Sequence, residues 1–159
     1  MATYKATVDW RLSAGEDFAA GRYSRAHTIA FDGGITMPGS ASPHVVRAPW
    51  SVEAAVDPEE AFVAALSACH MLWFLHVAKD AGFSVESYRD DAEGVMAKNA
   101  EGRWAMTKAT LRPHIVFNGN QPSARELDQL HHRAHEECYI ANSVKTDVVI
   151  EPQQAPASV

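Results

Sequence analysis

An α+β domain is what the sequence predicts, and three observations carry that reading. Residues 1–10 alternate, with Tyr4, Ala6, Val8 and Trp10 on one face and Thr3, Lys5, Thr7 and Asp9 on the other, the period of a half-buried strand. Residues 57–82 place helix-start and helix-stop signals around the most apolar stretch of the chain. Two long extended segments follow it and meet at a four-residue polar turn, the pattern of an antiparallel hairpin. The expected order is β-β-β-α-β-β-α-β, with antiparallel sheets around a central buried helix and no βαβ repeat.

Each element has its own local justification. A second strand fits residues 25–31, and Asp32-Gly33-Gly34 supplies the turn into a short third strand around residues 35–37. Residues 38–50 read as a loop, because Pro38, Gly39, Pro43 and Pro49 interrupt any period. Asp57 can cap the long helix, Pro58 suits its first position because it lacks the N–H that would go unpaired, and Glu60 stands where a capping box needs it. Lys79 and Gly82 mark its end. Between them apolar residues wrap nearly the whole circumference, which predicts burial in a core or an interface. Residues 61–78 are long enough to span a bilayer, yet Ser67, His70 and His76 interrupt them and Glu59 and Glu60 precede them, so no membrane is expected.

The two extended segments cover residues 85–98 and 103–117, joined by Asn99-Ala100-Glu101-Gly102. Pro122 and Ser123 open a second helix, with Ser123 and Glu126 as a capping box and Leu127, Leu130 and Ala134 on one stripe. Residues 146–150 read as a last strand. Residues 1–150 are thus expected to form a single domain, and residues 151–159 a disordered tail.

Composition narrows the function. A chain of 159 residues with 47% hydrophobic content can bury a core without a metal or disulfide staple. A net charge of -6 with scattered basic residues argues against nucleic acid as a partner. The first residues lack a secretory pattern and two cysteines make no disulfide framework, so Cys69 and Cys138 are expected as thiols in a reducing, cytoplasmic compartment. Neither a glycine-rich phosphate loop nor a Gly-x-Ser-x-Gly elbow occurs in the sequence.

On its own, Cys69 in an apolar helix reads as a packing residue, since burial raises a thiol above its usual pKa of about 8.5 and leaves it inert. Reactivity would require a cation from another segment, because His70 points about 100° away around the helix. His131, His135 and Cys138 are spaced i, i+4 and i+7 and share one helical face if the helix runs that far, a set that Zn or Cu accepts. A solvated polar face explains the same spacing, and no metal is assigned. Ser67 is expected to bond back to its own helix backbone.

Three segments carry a family resemblance. Asp57-Pro58-Glu59-Glu60-Ala61-Phe62-Val63-Ala64-Ala65-Leu66-Ser67-Ala68-Cys69 resembles the Asn-Pro-Glu…Ala-Ala…Ser-Ala-Cys helix of the OsmC/Ohr family, the osmotically induced and organic-hydroperoxide-resistance proteins. Cys138-Tyr139-Ile140-Ala141-Asn142-Ser143 is similar to that family's second cysteine segment, and Gly21-Arg22-Tyr23-Ser24-Arg25-Ala26 to its Gly-Arg-x-Gly-Arg-Ala. The resemblance spans residues 5–150. Ser24 in place of the second glycine, His70 where the family often has Phe, and Tyr139-Ile140-Ala141 after Cys138 place the chain nearer a divergent OsmC-like branch than Ohr itself.

The resemblance implies a thiol-dependent peroxidase that reduces organic hydroperoxides to alcohols. By position, Cys69 matches the peroxidatic cysteine and Cys138 the resolving one, joined as a disulfide in turnover. Arg22 and Glu59 match the pair that activates the thiolate, with Arg25 as the substitute for Arg22. No bound cofactor is implied; the reductant is an external dithiol, of lipoyl type in the family. An intertwined homodimer is implied too. Glu59 and Cys69, ten residues apart, lie about 15 Å apart along one helix, so a partner copy is the more economical source of a Glu59 acting at Cys69. The alternative is a non-catalytic OsmC-like dimer that binds a metal or a small ligand.

Overall fold

The computed structural model describes residues 1–153. The chain forms two compact units, Met1–Ala61 and Phe62–Val159. In the first, β1 (Ala6–Asp9), β2 (His27–Phe31) and β3 (Thr36–Gly39) form an antiparallel sheet in the order β1-β2-β3. The β2–β3 turn closes where the Asp-Gly-Gly signal places it: Gly34 adopts φ +89°, and its N–H donates to the Phe31 carbonyl at 3.0 Å. The third strand runs on through Pro38, opposite Thr28, into the segment expected as loop. A proline fits there because β3 is an edge strand and no neighbour needs its missing N–H.

β1 departs from the half-buried expectation. Every residue of it is exposed, with Val8 at 65% and the preceding Tyr4 at 88%. Alternation in the sequence marks a face with apolar character, and this unit does not cover it.

The first helix, α1 (Pro58–Asp80), starts as its cap residues require. Glu60 N–H donates to Asp57 Oδ1 at 2.8 Å, and Asp57 N–H donates to Glu60 Oε2 at 3.0 Å. It ends in a left-handed Gly82 at φ +84°, with Phe83 N–H donating to the Ala78 carbonyl at 3.0 Å.

The second unit holds the rest of α1, then β4 (Val85–Asp90), β5 (Glu93–Lys98), β6 (Trp104–Leu111), β7 (Pro113–Phe117), α2 (Ala124–Glu137), a short 3-10 turn (Ala141–Ser143) and β8 (Asp147–Ile150). Each of the two expected long strands is therefore broken in two, giving eight strands where six were expected. The antiparallel pairing is kept on both sides of the break, in two sheets: β5 pairs with β6 around the Asn99–Gly102 turn, and β4 pairs with β7 beyond the break. The crease of the hairpin falls at Asp91-Ala92 and Arg112. There the Arg112 N–H, freed from the ladder, donates to Asp90 Oδ1 at 2.6 Å. The pairing is antiparallel except that β8 runs parallel to β6. Backbone pairing continues past Ile150, where Glu151 N–H donates to Leu111 and Gln153 N–H to Pro113. Of the expected tail, residues 154–159 lie outside the described residues.

The core of this unit gathers Phe74, Val77 and Ala78 of α1, Phe117 of β7, and Leu130 and Ala134 of α2. Gly94 of β5 lets the sheet approach α1: a Cβ there would lie 2.6 Å from Val63 Cγ2 and would also meet Met106 Cε. Gly94→Ala should therefore lower unfolding free energy by about 1–3 kcal/mol through overpacking, read from urea denaturation. An unchanged midpoint would show that Val63 and Met106 yield without strain.

Candidate dithiol site

Helix α1 presents Leu66, His70, Phe74 and Val77 as one buried stripe, spaced four, four and three residues apart. Cys69 sits beside that stripe and is half-buried. Cys138 terminates α2: its backbone is extended (φ -69°, ψ 105°), its N–H donates to the His135 carbonyl, and its side chain is buried. The two thiols, both free, are neighbours, and Cys69 is one of the groups that raise the Cys138 thiol. Burial, more than the neighbouring Cys69, pushes the Cys138 thiol up to about 11. At neutral pH Cys138 is therefore a protonated thiol that can donate toward Cys69.

Two polar side chains of α1 on either side of Cys69 are tied down elsewhere in the unit. Ser67 departs from the expectation that it bonds back to its own helix backbone: its hydroxyl donates to Asp90 Oδ2 at 2.6 Å. Asp90 thereby holds both Ser67 and the Arg112 N–H, joining α1 to the crease of the hairpin. His70, 1% exposed, meets His131 of α2, 4% exposed, with His70 Nε2 and His131 Nδ1 3.1 Å apart. The ring planes differ by 7° and the centroids are 5.4 Å apart, longer than the nitrogen separation by about two ring half-widths. The imidazoles thus meet edge to edge in one plane, joined by an N–H···N bond, and are not stacked.

A neutral imidazole has one N–H and one bare nitrogen, so the bond uses one of each whichever tautomers are present. One donor and one acceptor remain at the outer ends, His70 Nδ1 and His131 Nε2, and neither has a partner among the described residues. Burial is the main reason that His70 falls to about 4 and His131 to about 3, with His135 adding to the first shift and His70 to the second. Both rings are neutral at physiological pH.

The His131–His135–Cys138 face expected from spacing does not persist, because α2 stops at Glu137 and Cys138 leaves the helical path. Among the described residues no group of three or more His, Cys, Asp or Glu is arranged to hold a metal. The His70–His131 pair was missed by sequence reading, although a signal was present: His70 lies four residues from both Leu66 and Phe74, which puts it on the buried stripe.

The arginine and glutamate candidates belong to the first unit. Arg22 is exposed and paired with Asp17, Nη2 to Oδ2 at 3.0 Å. Arg25 is partly buried: its guanidinium lies 3.7 Å from the centroid of the Tyr23 ring, and its Nη1 donates to the Gly21 and Tyr23 carbonyls. It borders a groove of about 360 Å³ lined by Trp10, Phe18, Tyr23, His27 and Pro58 among others. Phe18 stacks on Tyr23 at 4.7 Å, and Trp10 meets Tyr23 edge-on at 5.5 Å while donating Nε1–H to the Ser24 carbonyl at 2.8 Å. Glu59 follows Pro58 in the first turn of α1 and forms no ion pair among the described residues.

The second unit is thus an α+β fold with a free thiol on α1 beside a free thiol at the end of α2. The OsmC-like protein family matches residues 51–153, well over half of the sequence, and the chain belongs to that family. A solved OsmC-like protein of unknown function from Vibrio cholerae O1 biovar eltor is 53% identical, with 96% of this chain and 100% of that one covered and a TM-score of 0.94. The organic hydroperoxide resistance protein of Elizabethkingia anophelis, solved with thiocyanate bound, is 17% identical over 98% of this chain and 96% of that one, TM-score 0.70. OhrB of Bacillus subtilis, also an organic hydroperoxide resistance protein, is 19% identical over 97% and 98%, TM-score 0.67. The last two share the fold with this chain. Among curated proteins no sequence matches.

The neutral imidazole pair makes stability depend on pH. The unfolded chain takes up protons below pH 6.5, whereas folded His70 stays neutral until about pH 4, so stability present above pH 6.5 is lost as pH falls. One such imidazole accounts for about 3 kcal/mol between pH 7 and pH 4. Urea unfolding at pH 7 and pH 4.5 should show this loss in the wild type and a much shallower one in His70→Phe/His131→Leu. Equal losses would contradict it.

Proposed function

We propose that the protein is a thiol-dependent peroxidase that reduces organic hydroperoxides, with Cys69 as the attacking thiol and Cys138 as the resolving one. The observation that carries this reading is the nearness of the two thiols, which lie 69 residues apart in sequence. Their unlike environments support separate roles: the partly accessible Cys69 can be reached by a substrate, and the buried Cys138 can be reached by Cys69.

In the first step Cys69 thiolate attacks the outer peroxide oxygen, the O–O bond breaks, and the alkoxide takes a proton and leaves as alcohol. Cys69 is then a sulfenic acid. Cys138 sulfur attacks Cys69 sulfur, the hydroxyl departs with the Cys138 proton as water, and a disulfide remains. An external dithiol returns both thiols by exchange through a mixed disulfide.

The first step develops negative charge on oxygen, which a guanidinium stabilises through charge-assisted hydrogen bonds. Of the two arginine candidates the environment favours Arg25. It edges an aromatic groove suited to the organic part of a hydroperoxide, whereas Arg22 is engaged with Asp17 in solvent. Glu59, which follows the groove residue Pro58 in sequence and forms no ion pair among the described residues, is the candidate to orient the guanidinium. A homodimer in which the partner copy supplies arginine and glutamate to each dithiol completes the reading. The bare apolar faces support it: β1 is exposed throughout, and Leu72 of α1 is 62% exposed.

One equivalent of organic hydroperoxide should convert the reduced protein to a monomer-linked Cys69–Cys138 disulfide, two hydrogens lighter by non-reducing mass analysis. Cys69→Ser should abolish turnover, while Cys138→Ser should reduce one equivalent and stall. Both thiols remaining titratable in excess peroxide would sink the enzyme reading. Arg25→Leu should slow the peroxide step at least about tenfold and Arg22→Leu much less, the loss of a charge-assisted contact being worth about 1.5–3 kcal/mol. Light scattering at micromolar concentration should give twice the chain mass; full activity in a monomer would overturn the shared site.

A further inference from the structure

Helices α1 and α2 meet largely through apolar side chains: Phe74, Val77 and Ala78 on one, Leu130 and Ala134 on the other. The hydrophobic effect behind such contact is non-directional. Among the described residues one side-chain hydrogen bond joins the two helices, and it is His70 to His131. An N–H···N bond loses strength steeply away from ideal distance and angle, so it selects one height and one rotation of α1 against α2.

That selection bears directly on the thiols. Cys69 immediately precedes His70 on α1, and Cys138 closes α2 seven residues, about 10 Å of helix, beyond His131. A disulfide tolerates only a narrow range of geometry, with Cβ atoms about 3.5–4.5 Å apart, so a slip of an ångström between the helices takes the pair out of range. The dyad is also confined. Phe74 packs 4.5 Å from the His131 ring, and both imidazoles are almost wholly buried, so neither ring can turn to another partner without opening the core.

We propose that His70 and His131 are positioning residues for the dithiol: their hydrogen bond fixes α1 against α2 at the height where Cys69 and Cys138 meet, and so sets how readily the disulfide forms. This rests on the reading of Cys69 and Cys138 as the redox pair. The two histidines touch no substrate and transfer no electron. They hold two sulfur atoms in register.

The equilibrium with glutathione measures this without peroxide: protein dithiol and one glutathione disulfide give the protein disulfide and two glutathione thiols. His70→Phe/His131→Leu removes both partners together, which avoids stranding a buried nitrogen and keeps apolar volume in place. His131→Asn keeps a polar nitrogen or oxygen near the position of Nδ1. The double variant should remain folded, as judged by urea unfolding at pH 7, yet form the disulfide with an equilibrium constant lower by at least about tenfold, a rise in reduction potential of about 30 mV. His131→Asn should recover most of that loss. If the double variant does not fold, His131→Leu compared with His131→Asn makes the same distinction.

A wild-type equilibrium constant in the double variant overturns the proposal, as does an equal loss in His131→Asn, which would assign the effect to ring packing. A wild-type protein that forms no Cys69–Cys138 disulfide in the glutathione buffer overturns it as well. Failure of the peroxidase reading is seen separately, as a wild type that forms the disulfide with glutathione but consumes no organic hydroperoxide.

Discussion

A helix of 23 residues that is apolar around most of its circumference has to be covered, and the second unit is arranged around that demand. Its buried stripe of Leu66, Phe74 and Val77 draws in α2 and the β4–β7 pair, and the core cluster is the result. The stripe covers one side. Leu72 and the whole of β1 remain bare, and an apolar surface of this kind is unfavourable in water unless something else packs on it.

The same helix carries polar groups into that low-dielectric setting, where each needs a partner. Ser67 finds Asp90, a carboxylate that also closes the crease of the hairpin by holding the Arg112 N–H. His70 finds His131, and the pair can satisfy only two of its four ring nitrogens. The unsatisfied ends are destabilising by about 1–3 kcal/mol each, so the arrangement is an expensive way to fill a core. A directional bond between two helices is something apolar side chains do not supply, because the hydrophobic effect is non-directional.

Burial sorts the two cysteines as well. Cys138, sealed at the end of α2, keeps its proton well above neutral pH, and Cys69 retains access to solvent. A thiol that keeps its proton can surrender it to a departing hydroxyl, and one that is reachable can meet a substrate. In the first unit the contrast is between arginines: Arg22 is compensated by Asp17 in water, and Arg25 is held against Tyr23 at the edge of an aromatic groove. A guanidinium partly withdrawn from water interacts more strongly with a developing oxyanion than one screened by solvent.

The sequence by itself determined what depends on residues a few positions apart. Both capping boxes, the Gly82 terminus and the Asp32-Gly33-Gly34 and Asn99–Gly102 turns are local hydrogen-bond or φ requirements, and they stand where the residues place them. The family was legible too, from three segments that recur in order. Only the tertiary structure decided where the long strands break, since the Asp90–Arg112 bond joins residues whose meeting depends on hairpin register. It alone decided that Ser67 leaves its own helix for Asp90, that Cys138 leaves the helical face of His131 and His135, and that His70 is paired at all. The physical reason is common to these cases. A buried polar side chain bonds to whatever the packing brings within about 3 Å, and packing is set by the apolar residues around it rather than by the polar residue's neighbours in the chain.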